Sequence, residues 1–354
     1  MQEFDVIIIG ASFSGLTCAK KLAEAGVSVM ILERKINSLA TMHTTGILPM
    51  EALAVCKIPQ DFLYPINKVC LYHKLNSNLK TLPLHDDKYT FYGTKTNQVI
   101  NFLADEAIQK GVTIKYDTPF KQGDICKSTK AIIVNNEYKS KFLIGADGAC
   151  SKVAKTFGLD KNYAFLRGQE WHIKGLEKSL NDTMHVFLGD KLAKGYLAWA
   201  TPNDGYAQVG LAVKNPALPD IKYFMEEYIK PLFPDADYEI TEKIAGVIPI
   251  NGTLKNIANE RVILLGDAAG MVSPLTAGGI HRCFEYSQKL GVWIADYLQN
   301  NGEHPAIYAQ KHYPKFYKKQ FQRWIFDNFA NDRLMHIAFS TPMFSHFAKK
   351  IFFK

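Results

Sequence analysis

Hydrophobic and polar positions form a strand–helix–strand pattern at the start of the chain. The run Phe4–Ile9 is almost entirely apolar and has the length of a buried strand, and a second such run, Val27–Leu32, ends at Glu33. Between the two runs, apolar residues recur at helical spacing at Leu16, Ala19, Leu22 and Ala23. The pattern therefore predicts a strand, a helix and a second strand, with a glycine-containing turn over 10–15.

The rest of the chain switches between the same two periodicities. Helical spacing predicts helices over 50–55, 96–110, 220–230 and 279–300, and in the residues beyond 305. Apolar runs and alternation predict strands near 66–73, 79–84, 89–92, 112–116, 142–148 and 261–265, and a hairpin over 120–140. Residues 163–250 have the pattern of long strands separated by turns, which predicts an inserted, mostly antiparallel layer.

The turn after the first strand has the features of a dinucleotide-binding site. Gly10 permits a tight turn, and the backbone near Ser12 can approach a pyrophosphate at the N-terminus of the helix. Gly15 allows close packing of helix and strand, and Glu33 can accept a hydrogen bond from a ribose 2′-hydroxyl. Ser12 stands where the middle glycine is usual, and a plain structural turn is the alternative. The predicted nucleotide contacts also include the flanking residues Ser14 and Arg34.

Two further glycine-containing blocks follow along the chain. One covers 145–151 and contains Asp147, and the other covers 266–280 and contains Asp267. In order and spacing, the three blocks together resemble the FAD-dependent oxidoreductases of the aromatic-hydroxylase fold, over essentially the whole chain. The resemblance implies that the block with Asp147 helps to bind the FAD pyrophosphate region and that Asp267 binds the ribityl chain.

The third block also has a physical explanation of its own. Asp267 precedes small residues at the end of a predicted buried strand, so its carboxylate is expected to face a crevice rather than the core. The helix that begins around Gly278, Gly279 and Ile280 offers free N–H groups and the positive end of its dipole. The resemblance implies that this helix points at the flavin pyrimidine, where the dipole would stabilise the negative charge of a reduced flavin.

Within that group, the chain is most similar to the geranylgeranyl reductase family. Residues 195–205, which include Tyr196 and Trp199, resemble the Tyr-x-Trp-x-x-Pro strand of that family, and Val209-Gly210 resembles the Val-Gly that follows it. Thr45-Gly46 stands where the family often has Cys-Gly, and we include both residues among the predicted cofactor contacts. At the start of the helix predicted over 96–110, Lys95-Thr96 stands where the family usually has an arginine. Flavin halogenases share a related tryptophan motif, from which Leu197 and Thr201 depart.

The predicted fold class is α/β, with a Rossmann-like FAD-binding domain, an inserted and mostly antiparallel substrate-domain sheet, and C-terminal helices. The predicted boundaries give 1–65, 94–160 and 255–300 to the FAD-binding domain. They give 66–93 and 161–254 to the substrate-domain sheet, and 301–354 to the C-terminal helices.

Two enzyme classes and one non-enzyme class fit this fold. The favoured function is reduction of C=C bonds in an isoprenoid or other lipid-like substrate by hydride transfer through FAD. The alternative is a monooxygenase that hydroxylates an aromatic or lipid substrate. A flavoprotein that only passes electrons is disfavoured, because an inserted sheet suits a substrate pocket. The sequence shows no second dinucleotide motif, so NAD(P)H, if it is the electron donor, is expected to bind transiently.

Catalytic residues are harder to predict, and the candidates are His43, Tyr196 and Trp199. His43 is a candidate acid, although a lone histidine in a loop is more often a surface or hydrogen-bonding residue. Tyr196 and Trp199 fit core packing of the strand as well as they fit the lining of a pocket.

Composition indicates the class of protein and excludes several kinds of site. The 354 residues are 47% hydrophobic and 21% charged, which is typical of a globular protein. The six cysteines are scattered without metal-ligand spacing, so free thiols, a cytoplasmic location and no metal are expected. The start of the chain lacks the pattern of a leader peptide, and no run is long enough to span a membrane.

Most of the net charge of +8 lies in the tail, 311–354, which has nine basic and two acidic residues. The remainder is nearly neutral, so no nucleic-acid partner is expected. The tail also carries many aromatic residues, and Tyr313, Phe316, Tyr317, Phe321 and Trp324 can share one helical face. Two interpretations stay open: helices packed on the substrate domain with a solvated basic side, or peripheral contact with the inner membrane surface, begun by the last residues, 349–354.

Overall fold

The structure is a computed structural model, and it describes residues 1–40, 43–299, 302–329 and 331–353. The chain divides into two compact units. The first unit comprises 1–41, 97–164 and 249–320, and the second comprises 42–96, 165–248 and 321–354.

The first unit is built on a mainly parallel sheet. Its parallel strands lie in the order Thr113–Lys115, Val29–Leu32, Gln2–Ile9, Tyr138–Gly145 and Val262–Leu264. Ile132–Val134 and Gly123–Ile125 extend the sheet in antiparallel pairing beside the start of Tyr138–Gly145. The apolar runs of the sequence form the central strands because parallel strands are buried on both faces, and Val29–Leu32 is buried at every position.

The register of this sheet brings several strand ends to one level. Ile9 pairs with Leu32 on one side and with Gly145 on the other, and Gly145 pairs with Leu264. Gly10 and Glu33 directly follow Ile9 and Leu32, and Asp147 and Asp267 follow within three residues of Gly145 and Leu264. Ligands of open parallel sheets bind at the carboxyl ends of the strands, so this edge is the expected place for a cofactor.

Helices flank the sheet of the first unit. They are Phe13–Glu24, Thr96–Gln109, Lys152–Thr156, Ile280–Leu298 and Pro305–His312, with a 3₁₀ turn at Gly266–Ala269. Phe13–Glu24 and Ile280–Leu298 pack closely at Gly291, where a Cβ would lie 2.7 Å from the Cβ of Lys21. Phe13 and Phe284 also make an edge-on ring contact with centroids 5.5 Å apart.

The second unit is built on a mainly antiparallel sheet. Its strands lie in the order Glu239–Pro249, Phe165–Lys174, Tyr206–Lys214, Leu197–Asn203, Thr183–Leu188, Lys68–Leu75 and Asn78–His85. Thr183–Leu188 and Lys68–Leu75 pair in parallel. A smaller sheet combines Leu48–Pro49, Phe91–Thr94 and Leu63–Ile66.

Short helices surround the second unit. They are Met50–Val55, Glu177–Leu180, Asp190–Ala193, Ile221–Phe224, Lys230–Leu232, Asp332–Ala338 and Pro342–Phe352, with a π-helical turn at Met225–Ile229 and a 3₁₀ turn at Gln60–Phe62. The helix Tyr317–Phe329 continues from the first unit into the second.

The larger sheet of the second unit has an apolar cluster on each face. Val186 and Phe187 are neighbours in sequence but belong to different clusters, because successive side chains of a strand point to opposite faces. Phe187 packs against Phe224 with ring centroids 5.0 Å apart. On the other side, Phe339 and Phe353 of the C-terminal segment are buried against the sheet.

The predicted fold class is confirmed, whereas the unit boundaries differ from the predicted domain boundaries. Residues 43–65 belong to the second unit, because strands Leu48–Pro49 and Leu63–Ile66 pair with Phe91–Thr94. Residues 301–320, predicted to join the C-terminal helices, belong to the first unit, where the hydroxyl of Tyr286 donates to the carbonyl of Ala309. Local hydrophobic periodicity cannot reveal such long-range pairing.

Candidate active site

The turn after the first strand lies directly against the second glycine-containing block. Gly10 has φ of +108°, and a Cβ on it would lie 2.3 Å from the carbonyl oxygen of Ala146. Only glycine fits this approach and this backbone conformation. A Cβ on Gly15 would lie 2.0 Å from the carbonyl oxygen of Gly10, so the helix starts in close contact with the turn. Both predicted steric roles are therefore present in the structure.

The helix that follows this turn starts without a side-chain cap. Ser12 is the N-cap residue of Phe13–Glu24, but its hydroxyl accepts no hydrogen bond from the helix, and the first turn contains no acidic residue. The free N–H groups and the positive end of the dipole are thus available to an anion. Such a terminus is suited to the pyrophosphate of a dinucleotide.

The first and third blocks also meet in this unit. A Cβ on Gly266 would lie 2.4 Å from the hydroxyl oxygen of the buried Ser14. Gly266 itself has φ of +62°, which favours glycine. Ser14 therefore lies at the junction between the first helix and the strand end that precedes Asp267.

Glu33 is buried at the end of the second strand. Its Oε2 accepts a hydrogen bond from the N–H of Ala11 at 2.6 Å, and its Oε1 accepts one from the N–H of Lys35 at 2.9 Å. The acid thereby braces the glycine turn, and each carboxylate oxygen retains a further lone pair for a ribose hydroxyl. Arg34 is exposed, and contact of Glu33 or Arg34 with the nucleotide stays a prediction.

The carboxylate of Asp147 is used within the chain. It accepts hydrogen bonds from the hydroxyl of Ser151 at 2.6 Å and from the N–H groups of Lys152 and Val153 at 2.7 and 3.0 Å. Asp147 thus fixes the start of the short helix Lys152–Thr156, as a negative charge at a helix N-terminus does. Its contribution to cofactor binding, which stays a prediction, would act through the shape of this loop.

Asp267 has a different environment. Burial raises the pKa of its carboxyl to about 6, and among the described residues no side chain or N–H group bonds to this carboxylate. The nearby Cys283 thiol has its pKa raised to about 12 by burial and by the charge of Asp267. A carboxylate without a partner, at the carboxyl end of a strand, is suited to accept hydrogen bonds from the hydroxyls of a ribityl chain.

The helix of the third block begins without a cap as well. Gly279 is the N-cap residue of Ile280–Leu298, no side chain caps it, and no acidic residue lies in the first turn. A Cβ on Gly278 would meet only the Thr276 hydroxyl at 3.5 Å. The N-terminus at Ile280 therefore has the free N–H groups that the sequence predicted.

Asn162 joins the second and third blocks and was missed in the sequence. Its Nδ2 donates to the carbonyl of Ala149 at 2.9 Å and to the carbonyl of Asp267 at 2.8 Å. Its Oδ1 accepts a hydrogen bond from Asn251 at 3.0 Å. No sequence signal could identify Asn162, because it lies between the motifs rather than within one.

The second unit contains a buried carboxylate that was also missed. The Oε2 of Glu170 accepts hydrogen bonds from the Thr45 hydroxyl at 2.6 Å and from the Trp199 indole at 2.9 Å. Its Oε1 lies 3.2 Å from Nε2 of His172 and 3.3 Å from Nε2 of Gln208. A charged group so buried is expected to need several donors, and this cluster supplies them.

The other predicted residues of the second unit have varied surroundings. His43 is exposed, and a Cβ on Gly246 would lie 3.6 Å from it. Tyr196 is buried near the guanidinium of Arg323, and burial raises the pKa of its phenol. Gly46 has φ of +70°, and its carbonyl accepts a hydrogen bond from Thr94 at 2.7 Å. Catalytic roles for His43, Tyr196 and Trp199, and cofactor contact by Thr45 and Gly46, stay predictions.

A family model for the FAD binding domain matches residues 3–307. The chain belongs to this FAD-binding-domain family. FAD is therefore its cofactor, and the protein is an FAD-dependent oxidoreductase, as the sequence blocks predicted. The glycine cradle, the two uncapped helices and the unpaired Asp267 fit this group, because they offer steric room, N–H donors and an acceptor at one sheet edge.

Curated relatives are named as reductases, and solved structures of similar fold include a monooxygenase. Digeranylgeranylglycerophospholipid reductase 2 of Methanosphaera stadtmanae is 26% identical, covering 90% of this chain and 86% of the relative. A geranylgeranyl bacteriochlorophyll reductase-like protein from Thermoplasma acidophilum has a TM-score of 0.83 at 17% identity, covering 99% of this chain and 96% of that one. p-Nitrophenol 4-monooxygenase from Pseudomonas putida has a TM-score of 0.76 at 16% identity, covering 98% and 94%. The two structures share the fold of this chain.

The possible metal ligands of the described residues were predicted to be scattered along the chain. Within those ranges, no group of three or more histidine, cysteine or acidic side chains is placed to hold a metal ion. The six cysteines, all of which lie in the described ranges, are free thiols.

Proposed function

We propose that the protein reduces C=C bonds in the isoprenoid chains of a lipid, with FAD as its cofactor. The observation that carries the proposal is the likeness, over nearly the full length, to relatives whose names specify reduction of geranylgeranyl lipids. The likeness extends through the sheet of the second unit, beyond the FAD-binding strands. That sheet is the part of the chain in which a substrate site is expected.

The first unit would hold and orient the cofactor. When bound, FAD supplies hydride transfer to one carbon of the double bond. The N-terminus at Ser12 would bind the pyrophosphate, Glu33 the adenosine ribose and Asp267 the ribityl chain. The N-terminus at Ile280 would stabilise negative charge through its free N–H groups and its dipole. We propose NAD(P)H as a transient electron donor.

Hydroxylation is the second candidate, and the fold shared with p-nitrophenol 4-monooxygenase supports it. Both reactions need the same FAD-binding unit, so product analysis has to separate them. We would reduce the FAD-loaded protein without oxygen, add a geranylgeranyl lipid or a phenol, and analyse the products by mass spectrometry before and after admitting air.

The products decide between the reactions. Gain of two hydrogen atoms per double bond in the lipid without oxygen supports the reductase. Gain of one oxygen atom in either compound, only after air is admitted, supports the monooxygenase and ends the reductase proposal. Reoxidation in air with neither product would support a protein that only passes electrons.

We also propose that the protein binds peripherally to an anionic membrane on the cytoplasmic side, where a lipid substrate is available. Phe321 and Trp324 of the helix Tyr317–Phe329 are 61% and 54% exposed, and their rings stack at 6.0 Å. Met343 and Phe347 are also exposed, on the helix Pro342–Phe352. None of the helices in the described ranges has the length and apolar character to cross a bilayer. Exposed aromatic residues near lysines are suited to the membrane interface.

Several details of the predicted tail surface are wrong. Tyr313 and Phe316 precede the helix, which begins at Tyr317, so they do not share its face. Arg323 was expected among the basic residues of the solvated side, but it is buried and ion-paired with Asp327 at 2.9 Å. Phe353 is buried against Tyr89 and Phe91, which makes the end of the chain unsuitable as a first contact. Lys354 lies outside the described residues.

A further inference from the structure

The buried carboxylate of Glu170 is bonded to an imidazole on one side and to a hydroxyl on the other. We propose that Glu242, His172 and Glu170 form a proton path that ends at the hydroxyl of Thr45. This path would supply the proton that reduction of a C=C bond requires. The inference rests on the proposed reductase function and adds the source of the proton to it.

The path becomes more buried from Glu242 to Glu170. The side chain of Glu242 is 37% exposed and its Oε2 lies 2.9 Å from Nδ1 of His172, which is 13% exposed. Nε2 of His172 lies 3.2 Å from Oε1 of Glu170, which is 6% exposed. The other oxygen of Glu170 is bonded to the Thr45 hydroxyl at 2.6 Å. Every step is within hydrogen-bond distance, and the outer end reaches solvent.

The chemical nature of the partners selects Thr45 as the inner end. The indole of Trp199 can only donate its N–H, and the amide of Gln208 does not exchange roles as a relay must. A hydroxyl can donate and accept at once, so it can release its own proton while it receives another. Thr45 is half-buried, whereas Gln208 is fully buried.

The position of His172 makes it the proton store of the path. Both of its ring nitrogens lie against carboxylate oxygens, those of Glu170 and Glu242. Only the doubly protonated imidazolium can donate to both at once, because a neutral imidazole has one N–H and one acceptor nitrogen. The ring also lies against the tilted ring of Tyr206, with centroids 4.6 Å apart, which restricts its rotation.

The scaffold holds these groups at fixed positions. Glu170 and His172 are two residues apart on the strand Phe165–Lys174, so they point to the same face of the sheet. The amide of Gln208 donates to the backbone carbonyl of Thr45 at 2.7 Å and thereby ties the loop to the sheet. Sites built on strands with such supporting bonds keep their geometry better than sites on free loops.

FAD, when bound and reduced, would supply the hydride, that is, both electrons and one hydrogen, for one carbon of the double bond. The π electron pair of the double bond then takes the hydroxyl proton of Thr45 onto the other carbon. His172 gives its Nε2 proton to Oε1 of Glu170, and the carboxyl group turns to return this proton to the Thr45 oxygen. His172 is then reprotonated through Glu242 from water. The product gains two hydrogen atoms, and the protein returns to its initial protonation state.

Two substitutions would interrupt the path at different points. Glu170→Gln keeps the size of the side chain but cannot pass a proton, and Thr45→Val removes the hydroxyl. Thr45→Ser keeps the hydroxyl, and Glu226→Gln is a control at an exposed ion pair of the same unit. FAD content and melting temperature, measured for each variant, establish that it is folded and loaded. The rate measured is reoxidation of the reduced protein by a geranylgeranyl lipid without oxygen, in H₂O and D₂O.

We expect Glu170→Gln and Thr45→Val to slow this step by roughly 10²-fold, as removal of a general acid does. Thr45→Ser and Glu226→Gln should stay within a few-fold of the wild-type rate. A Glu170→Gln rate within a few-fold of wild type, or equal losses in Thr45→Ser and Thr45→Val, would overturn the proton path but leave the reductase function standing. No lipid reduction by the wild-type protein would overturn both.

A second measurement does not depend on turnover. We would label the histidines with ¹⁵N and assign the His172 ring from the signals missing in His172→Gln. Two ring N–H groups, one toward each carboxylate, are expected in the FAD-loaded protein if His172 stores the proton. A His172 ring with one N–H group only would contradict this role.

Discussion

The indole of Trp199 donates a hydrogen bond to Glu170 at 2.9 Å across an intervening strand. Trp199 and Glu170 both pair with Gly210 on the strand Tyr206–Lys214, which lies between their strands. The ring passes over Gly210, where a Cβ would lie 2.5 Å from Cζ2 of the indole. The tryptophan motif and the later Val-Gly of the sequence are therefore two parts of one contact.

Gly210→Ala should displace the indole and weaken its bond to Glu170. We expect a loss of about 1–3 kcal/mol in the free energy of unfolding, which is typical of overpacking. Gly168→Ala is the matched control, because it lies in the same sheet and its Cβ would meet only ordinary contacts at 3.8 Å or more. Thermal and urea unfolding of both variants measure the difference, and equal effects would show that the indole does not require the glycine.

Glu33→Ala should weaken FAD binding by roughly 10–100-fold, because a charged hydrogen-bond acceptor is lost. The affinity for FMN should fall less, since FMN lacks the adenosine ribose. Titration of the apoprotein with each flavin measures both constants, and Glu3→Ala, at an exposed ion pair, is the control. Equal losses for FAD and FMN would mean that Glu33 acts only through the turn it braces at Ala11.

Asp267 should make the stability of the apoprotein depend on pH. Its pKa is raised from 3.8 to about 6, so the stabilising effect of the neutral form is complete below pH 3.8 and is lost as the pH rises through 6. Asp267→Asn should therefore gain about 1–3 kcal/mol over wild type between pH 4 and pH 7. Melting temperatures of both apoproteins across this range measure the gain.

The same aspartate should matter for flavin retention. Asp267→Ala is expected to lose more FAD on dialysis than Asp147→Ala, because Asp147 is already bonded to Ser151 and to the helix that follows it. FAD retention by Asp267→Ala equal to that of wild type would contradict its assignment to the ribityl chain. For Asp267→Asn, a difference in melting temperature from the wild-type apoprotein that does not change with pH would contradict the raised pKa of Asp267.

Asn162→Ala should disturb the sheet edge where FAD is expected to bind, although Asn162 lies outside the three glycine-containing blocks. The substitution removes the Asn162 donor from the carbonyl of Ala149 and from that of Asp267, which keeps the N–H of Gly270; a hydrogen bond contributes about 0.5–1.5 kcal/mol net. We expect a lower melting temperature and weaker FAD binding. Asn256→Ala, at an exposed position of the same unit, is the control, and matching results for the two variants would contradict the role of Asn162.

Sequence patterns predicted the elements that depend on residues close together in the chain, such as buried strands and glycine turns. The apolar runs at Val29–Leu32 and Val262–Leu264 became buried strands, and the glycines at 10 and 15 lie where backbones nearly touch. Asn162 and Glu170 were beyond reach, because their roles depend on partners far away in the chain. The shortest hydrogen bond to Glu170 comes from the hydroxyl of Thr45, which is 125 residues away in the sequence. Hydrophobic periodicity cannot indicate such a pair.

The membrane proposal makes the last prediction. Because Phe353 is buried, truncation of the tail would unpack the second unit, and surface substitutions are the better test. Phe321→Ser with Trp324→Ser removes two exposed stacked rings, and Tyr163→Ser, at a 78% exposed tyrosine, is the control.

Sedimentation with vesicles measures the binding. We expect the wild-type protein to bind anionic vesicles at low salt and to be released by high salt, since each lysine near the surface contributes roughly 1 kcal/mol. Neutral vesicles should bind little. The double variant should bind anionic vesicles at least about tenfold more weakly, because aromatic rings anchor at the interface, whereas Tyr163→Ser should bind as wild type does. Absence of wild-type binding to anionic vesicles at low salt would contradict the membrane contact and would favour a substrate that reaches the protein from water.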